Sequence, residues 1–315
     1  MTVETSEYDR FGPWVEEVTT EREVPRLFRV HPLDLGAARL VLKVPRNIAR
    51  RDATPSMHLY DHLLALESDR LTVLSRPSGP DARGSRDYEV RHSAYADVVA
   101  VLDEVNMLEG HLRVHTSGGE VVAISYNGAA NAQPRRLAEE LRRLAVAARG
   151  GVRRSPRFAP AASGDRLLAQ SALGDDDIGV VNAHRVVAEQ RPELTILACH
   201  RRHALKPGLG GLAGARSRLS HALKPAVLHA GIVAADGDTL ELFGRRHEPV
   251  RGRMAEYSLS RAVLLTHALD RVEREPHPVY PGATVLTFVS GRSRLRTTVP
   301  TGSDAQCVLT GVTAR

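Results

Sequence analysis

The chain has 315 residues, enough for two domains of ordinary size, and 42 % of them are apolar although only 4 % are aromatic. Two cysteines make no disulfide framework, and no apolar run nears the ~20 residues that span a bilayer, which argues against a disulfide-stapled module and a helical membrane protein. The net charge of +6 comes from an arginine-rich composition and by itself points only weakly to a polyanion, so nucleic acid is not favoured as a partner.

Residues 1–38 read as an entry segment. Its start, MTVETSEYDR, lacks the charged-then-apolar pattern of a signal peptide, which makes a cytoplasmic protein the expectation. Tyr8, Phe11 and Trp14 cluster around Gly12-Pro13 and read as an aromatic tether laid across the domain that follows; a partner-docking peptide is the alternative.

A first domain is expected over 39–150. RLVLKVP is a strand ended by Pro45. The basic cluster that follows, with Lys43, Arg46, Arg50 and Arg51, is a candidate anion site or else a solvated turn. His58 to Arg76 is a hairpin turning at Glu67-Ser68-Asp69, and Tyr88 to His92 and Asp97 to Asp103 are further strands. Leu112 and Val114 alternate with His111, Arg113 and His115, Ser117-Gly118-Gly119 turns the chain, and Val122, Ile124 and Tyr126 alternate again. An amphipathic helix then carries Leu137, Leu141, Leu144 and Ala148 on one stripe, with Pro134 in its first turn, Asn131 as its cap and Gly150-Gly151 as its stop.

The hairpin DHLLALESDRLTVLSRP, the run YADVVAVLDEVNMLEGHLRVHTSGGEVVAISYN and the helix PRRLAEELRRLAVAA together resemble the bacterial branch of the pleckstrin-homology superfold over about residues 58–148. The resemblance implies a bent seven-stranded sheet plugged by a helix and used as a platform for ligands or proteins. Lipid-binding members carry lysines and arginines around the first hairpin turn. Here that turn is mostly acidic, which argues against phosphoinositide-style binding.

A basic Pro/Ala/Gly linker is expected over 151–174, and a second domain over 175–315. Asp175-Asp176-Asp177 opens a helical stretch with Ile178, Val181 and Val187 as core; helix capping is the expected role of the triplet, ahead of metal binding. HAGIVAADGDTLELFGRR then lies over the first hairpin, with Asp238 over Asp69; SRAVLL matches the run at Val98; and GATVLTFVSGRSRLRTTV repeats hairpin and turn. The chain ends without a long amphipathic helix, so either the copy is degraded or the 175–190 helix covers its sheet.

The densest chemistry is at Cys199, His200, Arg201, Arg202, His203 and Lys206. Zinc would need a second, suitably spaced ligand group, which the scattered histidines do not make. Cys199 beside His and Arg could have a lowered thiol pKa, or be plain core. Gly208 to Gly214 is close to a dinucleotide fingerprint but lacks a strand directly before it and a Lys-Ser/Thr pair after it. His200, Arg201, Arg202, Lys206, Arg216 and Arg218 flank this loop and form the best anion-contact candidate. No Gly-x-Ser-x-Gly or His-Glu-x-x-His signature occurs, so no cofactor, metal or catalytic residue is expected.

The expectation is therefore a mainly β protein with some helix (α+β): two tandem PH-like antiparallel barrels or sandwiches, the first closed by its C-terminal amphipathic helix. It would be a non-enzymatic binding or scaffold module for a protein partner or an anionic ligand. The alternatives are a peripheral binder of acidic lipid or nucleic acid through 43–51 and 200–218, and an enzyme using Cys199.

Overall fold

The structure is a computed structural model that describes residues 6–77, 87–149, 166–208, 224–252 and 257–311. After a one-turn helix α1 (Glu7–Arg10), strands β1 (Glu16–Glu17), β2 (Leu40–Pro45), β3 (Tyr60–Leu66), β4 (Arg70–Ser75) and β5 (Glu89–Ala94) form one antiparallel sheet in sequence order. Pro45 closes β2, and a tight turn at Glu67–Asp69 joins β3 to β4. The Tyr95 hydroxyl donates to the Glu67 carbonyl at 2.6 Å and ties that turn to the chain leaving β5. A 3-10 turn, Tyr95–Asp97, redirects the chain into β6 (Val98–Asn106), β7 (Glu109–Thr116), β8 (Gly119–Asn127) and helix α2 (Ala132–Ala148).

The second half begins with helix α3 (Ile178–Gln190). Strands β9 (Thr195–His200), β10 (His203–Leu205), β11 (Ala226–Leu228), β12 (Gly231–Ala235), β13 (Thr239–Gly244), β14 (Val250–Arg251) and β15 (Ser258–Leu265) follow. A second 3-10 turn, Thr266–Ala268, leads to β16 (Arg271–Pro276), β17 (Ala283–Ser290), β18 (Ser293–Pro300) and helix α4 (Asp304–Thr310). Strands β16, β17 and β18 form a three-stranded sheet, and β10, β11 and β14 a small one.

The remaining strands make one seven-stranded sheet in the order β8-β7-β6-β15-β13-β12-β9. Its centre is the antiparallel pair β6–β15, registered from Asn106 opposite Ser258 to Ala100 opposite Leu264. Runs expected to be equivalent members of two separate sheets are thus direct neighbours in one. The reason lies in their composition: both strands are largely buried, and Val98–Leu102 of β6 and Ala262–Leu265 of β15 are apolar on both faces, so each edge needs a cover, and each covers the other.

The period of two along β6 sends its side chains to two different cores. Val101 and Val105 join a cluster with Leu64, Leu71 and Leu112 and with Leu137, Leu141 and Leu144 of α2. Ala100 and Leu102 join another with Leu242, Leu264, Leu286, Phe288 and Leu309 of α4. The five-stranded sheet and α2 therefore cover one face of the long sheet at its β6–β8 end. The three-stranded sheet β16–β18 and α4 cover the opposite face at the other end. Helix α3 shares the α2 face, packing Val180 and Val181 on Ile232, Ala234 and Phe243. The chain ends in the short helix α4, and α3 packs on the face of β12 and β13.

The sheets are antiparallel throughout the described residues and none closes into a barrel, so of the barrels or sandwiches expected the structure has open packed layers. Asn131 does not cap α2 through its side chain, which instead donates to the Gly128 carbonyl at 3.1 Å. Of the linker expected over 151–174, residues 151–165 lie outside the described residues, while Leu168 and Leu173 of the described part pack into the core under α3 and so belong to the fold. With two cores bolted to one sheet, the chain should unfold in a single calorimetric transition whose van't Hoff and calorimetric enthalpies agree; two resolved transitions would show that the β6–β15 ladder does not couple them.

Candidate functional site

The first basic cluster is spent inside the fold. Lys43 is buried on β2, 3.1 Å from Glu16 and over the Tyr60 ring. Arg46 donates to the His58 carbonyl at 3.3 Å. Arg50 stacks on Tyr8 and donates to the carbonyls of Tyr8 and Phe11, at 2.6 Å for the latter. These residues fasten the entry segment, whose Phe11 is buried edge-on against Tyr60, while Trp14 is half-exposed. Arg51 stands out in solvent, 3.9 Å from Asp52, and Arg50 is exposed as well despite its hydrogen bonds.

The second cluster is also engaged. Arg201 donates to the Ala172 carbonyl at 3.0 Å, and His200 Nδ1 lies 3.2 Å from the Arg201 carbonyl. Arg202 pairs with Asp176 at 2.7 Å and with Asp177 at 3.2 Å, and Arg245 Nε pairs with Asp177 at 3.0 Å. Asp177 makes no side-chain cap on α3; its buried carboxylate is taken by the two arginines. Lys206 is exposed. Arg216, Arg218 and the glycine loop beyond Gly208 lie outside the described residues. Among the described residues no group of three metal-ligating side chains forms. Cys199 packs into the core beneath α3, where burial pushes its thiol pKa up, so it is not an activated thiolate.

What the fold does assemble is a cleft of about 320 Å³ between α2 and α3. Its floor is the centre of the long sheet. In the register of β6, β15 and β13, Asp103 lies opposite Arg261 and Arg261 opposite Phe243, while Val101 lies opposite Val263. Arg135 and Ala138 form one wall, and Ala183, Val186 and Val187 the other. Gly179, in the first turn of α3, has open space where a side chain would stand. Val186 is 57 % exposed and marks the mouth.

Asp103 is the polar group at the bottom of this cleft. It accepts the Tyr126 hydroxyl at 2.5 Å and lies 3.6 Å from Arg135 Nε. Burial pushes its pKa above the usual carboxylate range, against the pull of Tyr126 and Arg135.

Beside the cleft the floor turns ionic. Glu241, fully buried on β13, accepts from Arg261 Nε at 2.8 Å and from Arg191, which follows α3. Arg191 also donates to Asp236 and, at 3.0 Å, to Thr239. Arg261 reaches Glu139 of α2 at 3.2 Å, and Glu139 holds Arg142 at 2.7 Å. Burial alone would raise the Glu241 pKa, but Arg261 and Arg191 hold it down to about 2. The network joins α2 from the first half to β13, β15 and the end of α3 from the second.

Comparisons with family models, curated proteins and solved structures find no match to this chain. The cleft was missed from sequence because its residues come from five separate elements, β6, α2, α3, β13 and β15, spread between positions 101 and 263. The signal present was a charged residue inside each of two apolar strands: Asp103 in β6 and Arg261 in β15.

Two outcomes follow from the buried charges. Glu241→Ala, which strands two arginines, should cost about 3–5 kcal/mol in urea melts. Removing Glu193, whose exposed carboxylate is 3.7 Å from Arg191, should change stability by less than about 0.5 kcal/mol. The second outcome concerns acid. His184 is buried edge-on to Phe243, and burial lowers its pKa from the usual 6.5 to about 4. The unfolded chain takes that proton near 6.5 and the folded chain only near 4, so stability falls as pH drops between those values, by on the order of 3 kcal/mol. Burial lowers His229 to about 4 as well and shifts His62, His200 and His247 in the same direction, so His184→Leu should remove a part of the loss between pH 6.5 and 4 in chemical melts and leave the rest. Glu241 stays ionised through that window, and its own contribution goes only as pH falls on toward 2.

Proposed function

We propose that the chain is a non-enzymatic binding module built from two PH-like units fused through one sheet, and that it holds a small amphipathic ligand in the cleft between α2 and α3. The tandem reading is supported by the order of elements. In the first half four strands, β2 to β5, lead through a 3-10 turn to three strands and a helix; in the second, β9, β12, β13 and β15 lead through a 3-10 turn to three strands and α4. The hairpins β3–β4 and β12–β13 hold corresponding places, with Asp69 and Asp238 at their turns.

The observation that carries the ligand reading is a cleft of about 320 Å³, inside the range of small-molecule sites, whose apolar floor ends in the carboxylate of Asp103 beside Arg135. Val101, Val263, Leu259 and Phe243 suit an apolar body. Asp103 and Arg135 suit one hydrogen-bonding head group that accepts from the guanidinium and donates to the carboxylate. Peripheral binding to an anionic surface is less well supported. The donors of Lys43, Arg50, Arg201 and Arg202 are engaged internally, although Arg50 and Arg201 are exposed together with Arg51 and Lys206.

The dye 1-anilinonaphthalene-8-sulfonate, an apolar body with a sulfonate acceptor beside an amine N–H donor, serves as probe. The folded chain should take up one equivalent with enhanced fluorescence. Ala183→Trp, which fills the cleft from the α3 wall, should abolish uptake while the circular dichroism stays unchanged. Equal uptake by the folded variant would sink the reading.

A further inference from the structure

A second concave site lies on the opposite face of the long sheet. There β18 runs as the free edge of the three-stranded sheet over β6 and β7, leaving a cavity of about 340 Å³. Four arginines line it, Arg113, Arg246, Arg294 and Arg296, against two carboxylates, Glu104 and Glu248. Arg113 pairs with Glu104 at 2.8 Å. Arg294 and Arg296 reach Glu273 and Glu275 at 2.9 and 3.6 Å, but all four of these side chains are at least 40 % exposed, so the pairs are weak and exchangeable. Arg246 is exposed and has no ion-pair partner among the described residues.

The backbone of β18 adds direction to this charge. Alternate residues of an edge strand turn their N–H and C=O groups away from the neighbouring strand. On β18 these are the even-numbered ones. The Arg292 N–H donates to the Ser117 carbonyl at 2.8 Å, and the Thr298 N–H donates to the His247 carbonyl at 2.7 Å. Between these two anchors stand Arg294 and Arg296, whose outward backbone groups meet no partner among the described residues. The anchorage is rigid: Ser293 Oγ donates to the Thr116 carbonyl at 2.7 Å, and Gly291, at φ 55°, sits where a Cβ would lie 2.3 Å from the Ser117 carbonyl oxygen. Beneath the open edge, His111, Ala123 and Ser125 leave the outer face of β7 and β8 exposed.

We infer that this edge takes a short acidic peptide as an added antiparallel strand. The peptide backbone bonds Arg294 and Arg296 from the side. Acidic side chains on its outer face lie across from those two guanidinium groups, and Arg113 and Arg246 receive acidic groups turned toward the floor or the end of the groove. Strand addition gives affinity through the main chain and selectivity through alternate side chains. The edge is short, charged and walled at both ends, which also limits indiscriminate sheet pairing.

Fluorescence anisotropy with a labelled five-residue peptide of alternating glutamate and threonine tests this on the full chain. Binding should be salt-sensitive, and the doubly substituted Arg294→Ala, Arg296→Ala protein should bind about tenfold more weakly or worse. Methylating the alternate peptide nitrogens that face β18, which keeps every charge, should weaken binding to a similar degree; Arg51→Ala should leave it unchanged. The inference fails if the methylated peptide binds as well as its parent, or if the double variant binds like the native chain. It fails also if inorganic pyrophosphate displaces the labelled peptide as effectively as the unlabelled peptide does, since a point-like anion site would then suffice.

Discussion

The ladder between β6 and β15 is the constraint on which the rest of the molecule is arranged. Each strand has a run that is greasy on both sides, and neither could end a sheet without presenting a sticky edge. By pairing, they merge what would have been two sheets into one of seven strands. Because successive side chains point to opposite faces, adjacent residues of one strand, Val101 and Leu102, belong to the cores of different halves. The two sandwiches therefore sit on opposite sides of a common wall rather than side by side on a linker.

That arrangement creates the places where function can reside. On one face the helices α2 and α3 come from different halves and meet over the centre of the wall without filling it, which leaves the cleft. The ion network at the side of the cleft is expensive to bury and contributes geometry more than net stability: Arg261 touches carboxylates from α2 and from β13, so it fixes the relative placement of parts that share no chain connection nearby. On the other face the small sheet leaves β18 as an edge over β6 and β7, with a polar floor beneath it.

Much of the secondary structure was legible because alternation and turn residues are local signals. The hairpins at Glu67–Asp69 and Asp236–Asp238, the strand ended by Pro45 and the stripe Leu137, Leu141, Leu144 could all be read directly. Sheet composition was not. The run SRAVLL reads as a buried strand, but nothing in its residues says which strand lies beside it. The candidate site was legible least of all. Density of charge along the chain drew attention to 43–51 and 200–218, where the described arginines mostly satisfy carbonyls and carboxylates of the same fold. The informative charges were Asp103, Glu241 and Arg261, each buried in a mostly apolar strand (Asp103 with Glu104 beside it), where an ionised group needs a partner.

The partners at the seam are remote in sequence: the Ser258 hydroxyl meets Asn106 across 152 residues. On a ribosome adding about 5–20 residues per second, β6 would wait roughly 8–30 s for its neighbour to be made. Throughout that interval the nascent first half presents a complete, apolar, unpaired edge, so the protein must cross its most vulnerable stage before translation is over, and strand β15 is in effect the chain's own late-arriving chaperone.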